Sequence, residues 1–267
     1  MIEIIFSLIL GFFIGSFLNC TVLRVYNEES FVKGNSKCPH CKHKLGVKDL
    51  IPIFSYASLK GKCRYCREKI SSQYFWSEVA TGLLFALVAF LTNASFFTMG
   101  IFNIEFLEYL FYLVVASYFV MIFLFDARWF IIPDGLTFSA IIITILWLLS
   151  GTFIFGIYTE QDLLFRFLSA FGVFLFFFAL HFFSHGKAMG FGDVKLVVFL
   201  GLLLGWPNIL IGMFLGFFLG AVIGLVIMML QKKGIKTEIP FGPFLVVGTF
   251  IAMFWGNDLI DYYLNLM

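Results

Sequence analysis

The sequence predicts an all-α polytopic membrane protein of about eight transmembrane helices, with one small polar insertion on the cytoplasmic side. Three observations carry this. Of 267 residues, 61% are hydrophobic and 13% charged, and mean hydropathy is +0.99; a soluble domain runs about 45–50% apolar and about 25% charged. Thirty-nine phenylalanines exceed what one water-soluble core can hide. The few charges are gathered between long apolar runs. Together these exclude a soluble globular protein, a disordered chain and a disulfide-stapled mini-protein. The bilayer is an expected partner, and nucleic acid is not.

The nearly charge-free runs cover 2–23, 75–104, 106–125, 135–159, 163–180, 194–230 and 239–257, interrupted only by Glu3, Glu78, Glu108, Arg166 and Lys195. No alternating strand pattern or Asn-Gly hairpin appears, which argues against a β-barrel. Backbone in hydrocarbon must satisfy its own polar groups, so the runs are helices. Residues 75–104 hold one helix and an outer loop around Asn93-Ala94-Ser95. Residues 194–230 would extend about 55 Å as one helix, nearly twice the roughly 30 Å core. Gly205-Trp206-Pro207-Asn208 breaks them, because proline stops a helix. The expected spans are therefore 2–25, 75–93, 107–126, 135–155, 163–184, 194–205, 208–230 and 240–257.

Lys and Arg set the orientation. With 26–74 in the cytoplasm, the loops 126–134, 185–193 and 231–239 share that side, and of the 18 basic residues only Arg166 lies away from these loops. Glu3, Glu105, Glu108, Glu160, Asp162, Asp258 and Asp261 fall on the other side. Both termini are then expected outside. The first apolar stretch lacks a basic leading end and a small-residue cleavage site, and reads as a retained span. The natural division is an N-terminal unit, 1–93, containing the insertion 26–74, and a six-helix unit, 94–267.

The insertion carries Cys38-Pro-His-Cys41 and, 21 residues on, Cys63-Arg-Tyr-Cys66. Two such knuckles close a four-sulfur tetrahedral shell, the signature of structural zinc. Lys37, Lys42, Lys44, Lys62, Arg64 and Arg67 would offset the thiolate charge. A pair of disulfides is the rival reading, disfavoured in a reducing compartment. His40 and His43 are substitute ligands by type.

Three carboxylates lie at the expected cytoplasmic face: Asp126 after the run 113–125, Asp134 after Pro133, and Asp193 in Gly190-Phe-Gly192-Asp193. A carboxylate beside hydrocarbon is a functional candidate. The span 194–205 covers only about 18 Å, so one of its ends is expected below the surface. The two glycines favour the Asp193 end, since they permit unusual backbone angles and close approach. Paired carboxylates in a partly dry site share one proton, which supplies a base for water and an acid for the attacked carbonyl. Helix capping competes for Asp134. It does not explain Asp126, which ends a helix against the dipole.

The set Gly15-Ser-Phe-Leu-Asn19, the two Cys knuckles, Asp49-Leu-Ile-Pro52, Asp126-x6-Pro133-Asp134, Gly190-x-Gly192-Asp193-Val-Lys195-Leu and Ile239-Pro240-Phe-Gly242-Pro243 resembles the bacterial prepilin peptidases over nearly the whole chain. The resemblance implies an aspartic endopeptidase of the G-x-G-D type with Asp126 and Asp193 catalytic. It would cut the basic leader from type IV prepilins and pseudopilins at the cytoplasmic face of the inner membrane. Many members also methylate the new N-terminal amine with S-adenosylmethionine, a function associated with the cysteine-bearing unit. Gly190, Gly192, Lys195, Pro240, Gly242, Pro243 and Asp134 are expected to support the carboxylate pair. Pro240, Gly242 and Pro243 suit either an extended substrate-receiving loop or a plain helix start. Glu78 matches the family's acidic position and is a candidate for orienting the methyl-acceptor amine, or snorkels to the interface.

One departure is Gln73-Tyr74-Phe75, where the family often carries Arg-Tyr-Pro. No glycine-rich dinucleotide fingerprint is present. His181 and His185 are four apart without a metalloprotease pattern. Two alternatives remain open: a proton-coupled transporter using the carboxylates as a relay, though internal repeats are absent, and a zinc-ribbon membrane adaptor without chemistry.

Overall fold

The computed structural model describes residues 1–30, 34–93, 103–187, 189–231 and 239–266. Its helices are α1 Ile2–Tyr26, α2 Phe54–Ser58, α3 Gln73–Leu91, α4 Ile104–Trp129, α5 Asp134–Phe153, α6 Glu160–Phe183, α7 Phe191–Leu204, α8 Asn208–Gln231 and α9 Gly242–Leu266. No strand occurs among the described residues, and two isolated antiparallel bridges, Lys37 with Lys44 and Lys62 with Lys69, sit in the insertion. Among the described residues, seven helices are long and apolar enough to cross a bilayer. The chain is an all-α, multi-pass membrane protein. Of the expected outer loop, Ala94 and Ser95 lie outside the described residues, as does most of the basic loop 231–239.

The chain forms two compact units, Met1–Leu124 and Phe125–Met267. In the first, α1 packs along α3 backbone to backbone. A Cβ at Gly11 would stand 2.7 Å from Gly82 Cα, and one at Gly15 would stand 2.9 Å from Glu78 Cα. Small residues four apart let membrane helices touch where no hydrophobic force drives them together. The buried Ser7 and Tyr109 hydroxyls share a 2.7 Å hydrogen bond that ties α1 to α4.

The second unit is organised around α7. This helix has 14 residues, nine of them buried, and α5, α6, α8 and α9 all pack against it. It is about 21 Å long, too short for the hydrocarbon thickness, and from Val194 onward is largely enclosed by protein instead. A helix apolar all round belongs in an interior. It also begins at Phe191, three residues before the expected start, so Asp193 lies inside its first turn rather than ahead of it.

Arg166, the basic residue on the unexpected side, closes the other end of α7. Its Nη1 donates to the carbonyls of Leu202 at 3.2 Å and Leu203 at 2.5 Å. Its guanidinium stands 4.8 Å over the Tyr158 ring. The last carbonyls of a helix lack intrahelical donors, and a cation there complements the dipole. Its position therefore follows from α7 rather than from the charge rule.

Candidate active site and metal centre

Asp126 occupies the last turn of α4 and is buried, at 6% exposure. Its own helix opposes a negative charge there. The remedy comes from α9, where the backbone N–H of Gly242 donates to Asp126 Oδ2 at 2.8 Å. Phe241 accepts the first helical bonds from Phe244 and Leu245, so Gly242 is the first helical residue and Pro243 the second. The carboxylate thus faces a helix N-terminus, where free N–H groups and the dipole favour an anion. A Cβ at Gly242 would lie 2.8 Å from that same Oδ2. Only glycine leaves room for the contact. The segment Ile239–Pro243 therefore leads into a helix start at Gly242, whose N–H is committed to Asp126.

Asp193, half-buried, projects from the first turn of α7 close enough to Asp126 for the two charges to repel. It accepts a hydrogen bond from the Gly190 N–H. The expectation that Gly190 and Gly192 supply unusual backbone angles fails. Gly190 has φ −70° and ψ 151°, which any residue adopts. A Cβ at Gly190 would stand 3.7 Å from Asp193 Oδ2, and one at Gly192 3.4 Å from Ile132 Cβ, both ordinary contacts, so neither position is closed to a side chain by its nearest neighbours.

Asp134 is the first residue of α5, with Pro133 as N-cap. It is exposed and pairs with the ammonium of Lys195, two residues past Asp193. Lys195 Nζ also lies 5.3 Å over the Phe191 ring. Asp134 is thus paired with Lys195 and lies inside the helix rather than at its N-cap. His181 holds the loop before α7, its Nδ1 2.9 Å from the Met189 carbonyl and its ring packed on Phe191. Sequence spacing suggested only a histidine pair for it.

The four cysteines converge. The Sγ atoms of Cys38, Cys41, Cys63 and Cys66 all lie within 4.8 Å of one another, with no other such ligand group among the described residues. Cys38 and Cys66 are 3.9 Å apart and unbonded, against about 2.05 Å for a disulfide. Tetrahedral Zn–S bonds of about 2.3 Å put sulfurs roughly 3.8 Å apart. The two knuckles repeat one geometry. Cys38 N–H bonds His43 O as Cys63 N–H bonds Glu68 O, and Lys42 N–H bonds Cys38 O as Arg67 N–H bonds Cys63 O. Lys42 and Arg67 both take positive φ. N–H groups of Cys66 and then Tyr65 hold the Cys63 thiol down to about 7. Thiols, spacing and thiolate-stabilising donors all fit a divalent ion. The ligand group contains neither His40, which is exposed, nor His43, which stacks on Tyr65 at 3.7 Å between ring centroids.

In the first unit Glu78 is buried on α3. It accepts the Ile53 backbone N–H at 2.7 Å and the Ser16 hydroxyl. Asn19 donates its side-chain amide to Ser77 beside it. Glu78 is thus held inside the protein by α1 and the insertion, and does not snorkel. Ser16, Asn19 and Ile53 were not assigned roles from sequence. The first two lie in the Gly15–Asn19 motif, and the third follows the Asp49–Pro52 motif.

These features define a multi-pass membrane protein with two neighbouring carboxylates in one unit and a four-cysteine cluster that could hold a metal ion in the other. The family model of the bacterial peptidase A24 N-terminal domain matches residues 9–92, and that of the type IV leader peptidase family matches 113–225. A prepilin leader peptidase/N-methyltransferase of Legionella pneumophila is 30% identical over 236 residues, 86% of this chain and 75% of the relative. Those of Stutzerimonas stutzeri and Pseudomonas aeruginosa are each 28% identical, over 97% of this chain and 93% and 92% of theirs. The chain belongs to the prepilin leader peptidase/N-methyltransferase family, a family of enzymes. No solved structure matches it.

Proposed function

We propose that this chain removes the basic leader from type IV prepilins and pseudopilins and then methylates the exposed amine. The observation that supports the reading is Asp126 held at the N-terminus of α9, with Asp193 near enough to feel its charge, in a chain of this family. One carboxylate of such a pair is ionised and removes a proton from water. The other is protonated and donates to the scissile carbonyl. The proton then passes to the leaving amine as the tetrahedral centre collapses. The two acids titrate as a pair.

The concentration of Lys and Arg in the loops on one side supports a cytoplasmic placement of the pair. A substrate with a basic leader and an apolar helix would present its junction there. We assign the cysteine site to structural zinc, which closes a small polar insertion that has little core of its own. We assign Glu78, buried in the first unit, to receiving the amine. S-adenosylmethionine supplies the methyl as an electrophile.

Mass spectrometry of a purified prepilin, incubated with the protein in vesicles and S-adenosylmethionine, tests both halves. The expected product is cut between the basic leader and the hydrophobic segment and carries a methyl on its new N-terminus. An uncut prepilin removes the reading.

Gly242→Ala is expected to lower cleavage about tenfold to hundredfold, since a displacement near 1 Å at a reacting group has that order of effect. The added methyl would occupy the position of the Asp126 contact. Initial cleavage rates in vesicles check this, and an unchanged rate would show that Gly242 does not orient Asp126.

A further inference from the structure

The segment Asp49–Phe54 links the metal ribbon to Glu78, and both of its ends are fastened. At one end Asp49 accepts Arg64 Nε at 2.6 Å and the Tyr65 hydroxyl at 3.3 Å. Arg64 and Tyr65 are the two residues between Cys63 and Cys66. The Arg64 guanidinium holds the Asp49 carboxyl below its ordinary range, so the tie persists at neutral pH. At the other end Ile53 donates its N–H to Glu78 at 2.7 Å.

The backbone at Ile53 is unusual. It has φ 63° and ψ −53°, and the Phe54 N–H reaches back to the Pro52 carbonyl at 2.6 Å. This is a γ-turn of the positive-φ kind, rare and strained. A β-branched residue at positive φ is a genuine outlier. Such strain persists only where the surroundings over-determine it, and it clusters at functional sites. Here the surroundings are Asp49 fastened to the ribbon on one side and the buried Glu78 on the other. The turn directs the Ile53 N–H at the carboxylate.

We propose that Ile53 is a positioning residue of the methyl-acceptor site. Its strained turn, anchored on the metal ribbon through Asp49, aims the Glu78 carboxylate at the incoming amine. This rests on the reading of Glu78 as the residue that receives the amine. It also gives a role to the Asp49-Leu-Ile-Pro52 motif, which the proteolytic centre does not use.

The backbone N–H and the bend are what matter, not the isoleucine side chain. Ile53→Pro removes the N–H and cannot take the angle, because proline fixes φ near −65°. Ile53→Gly keeps the N–H and takes the angle without strain. The experiment uses the full-length protein in vesicles with pre-cut pilin and S-adenosylmethionine. Mass spectrometry reads methylation, and a parallel assay reads cleavage of intact prepilin.

Ile53→Pro is expected to lower methylation about tenfold to hundredfold, the effect of losing a hydrogen bond to a charged group, with cleavage unchanged. Ile53→Gly is expected to restore methylation to near the wild-type rate. A general loss of fold would not separate these two variants or the two activities. Wild-type methylation in Ile53→Pro, or equal losses in Pro and Gly, overturns the proposal. Should Ile53→Pro fail to enter the membrane, Asp49→Ala decides. It releases the ribbon end only and is expected to lower methylation severalfold, and no change overturns the proposal. Glu78→Gln separates the two levels. Intact methylation there refutes the role of Glu78 itself, whereas loss in Glu78→Gln with full activity in the Ile53 and Asp49 variants refutes only the strap.

Discussion

Asp126→Asn and Asp193→Asn are each expected to lower prepilin cleavage by at least about 10³-fold, within the range that general acid–base groups supply. Asparagine keeps the shape of aspartate, and its carbonyl oxygen still accepts a hydrogen bond. At position 126 the Gly242 N–H therefore keeps a partner, and the junction of α4 with α9 persists. What is lost is the ability to take and return a proton. The two substitutions should not add, because acids that act as a unit fail together. Quenched prepilin cleavage in vesicles measures this, with methylation of pre-cut pilin as the control for an intact fold. Retained cleavage in either variant would remove the proposed mechanism.

Removing the metal is expected to separate the two activities. Four Sγ atoms within 4.8 Å of one another repel as thiolates once the cation is gone, and the binding energy of a structural ion is folding energy for a small module. Cys38→Ser with Cys63→Ser, or prolonged chelation, should abolish metal content and lower methylation by at least about tenfold, on the order seen when metal sites are disturbed. Cleavage should outlast it, because Asp126, Asp193 and Gly242 all lie in the second compact unit. Elemental analysis should find a single zinc per wild-type chain. Full methylation by metal-free protein would detach the ribbon from that reaction.

Much of this molecule was legible in the primary structure. Helix positions followed from runs of apolar residues, and the observed boundaries fall within three residues of the expected ones except at the end of α9, which runs to Leu266 rather than 257; apolar length misjudged only whether a helix faces lipid. α7 shows why. Apolar length predicts spans because lipid has a thickness, and a helix wrapped by α5, α6, α8 and α9 is not subject to that thickness. The cysteine knuckles were legible because a tetrahedral shell needs two ligands from each tight turn. Gly190 and Gly192 drew attention for backbone freedom and close approach, but Gly190 takes an ordinary extended conformation and a Cβ at either would make only ordinary contacts.

Other parts had no signal of their own. Lys195 could have faced Asp193 or lipid, and only the packed structure pairs it with Asp134. Ile53 looks like any apolar residue after a proline, since a backbone angle forced by two distant anchors leaves no mark on residue type. Arg166 reads as an exception to a charge rule until the carbonyls at the end of α7 are seen beside it.

Hydropathy, charge placement and cysteine spacing are properties of neighbours along the chain, so membrane class, helix count and the metal-ligand set can be read from order alone. The pairing of Asp126 with a helix start 116 residues away, and its approach to Asp193, belong to the tertiary structure. They depend on how several helices pack at once, and a buried carboxylate takes its chemistry from whichever donors and charges that packing brings within reach.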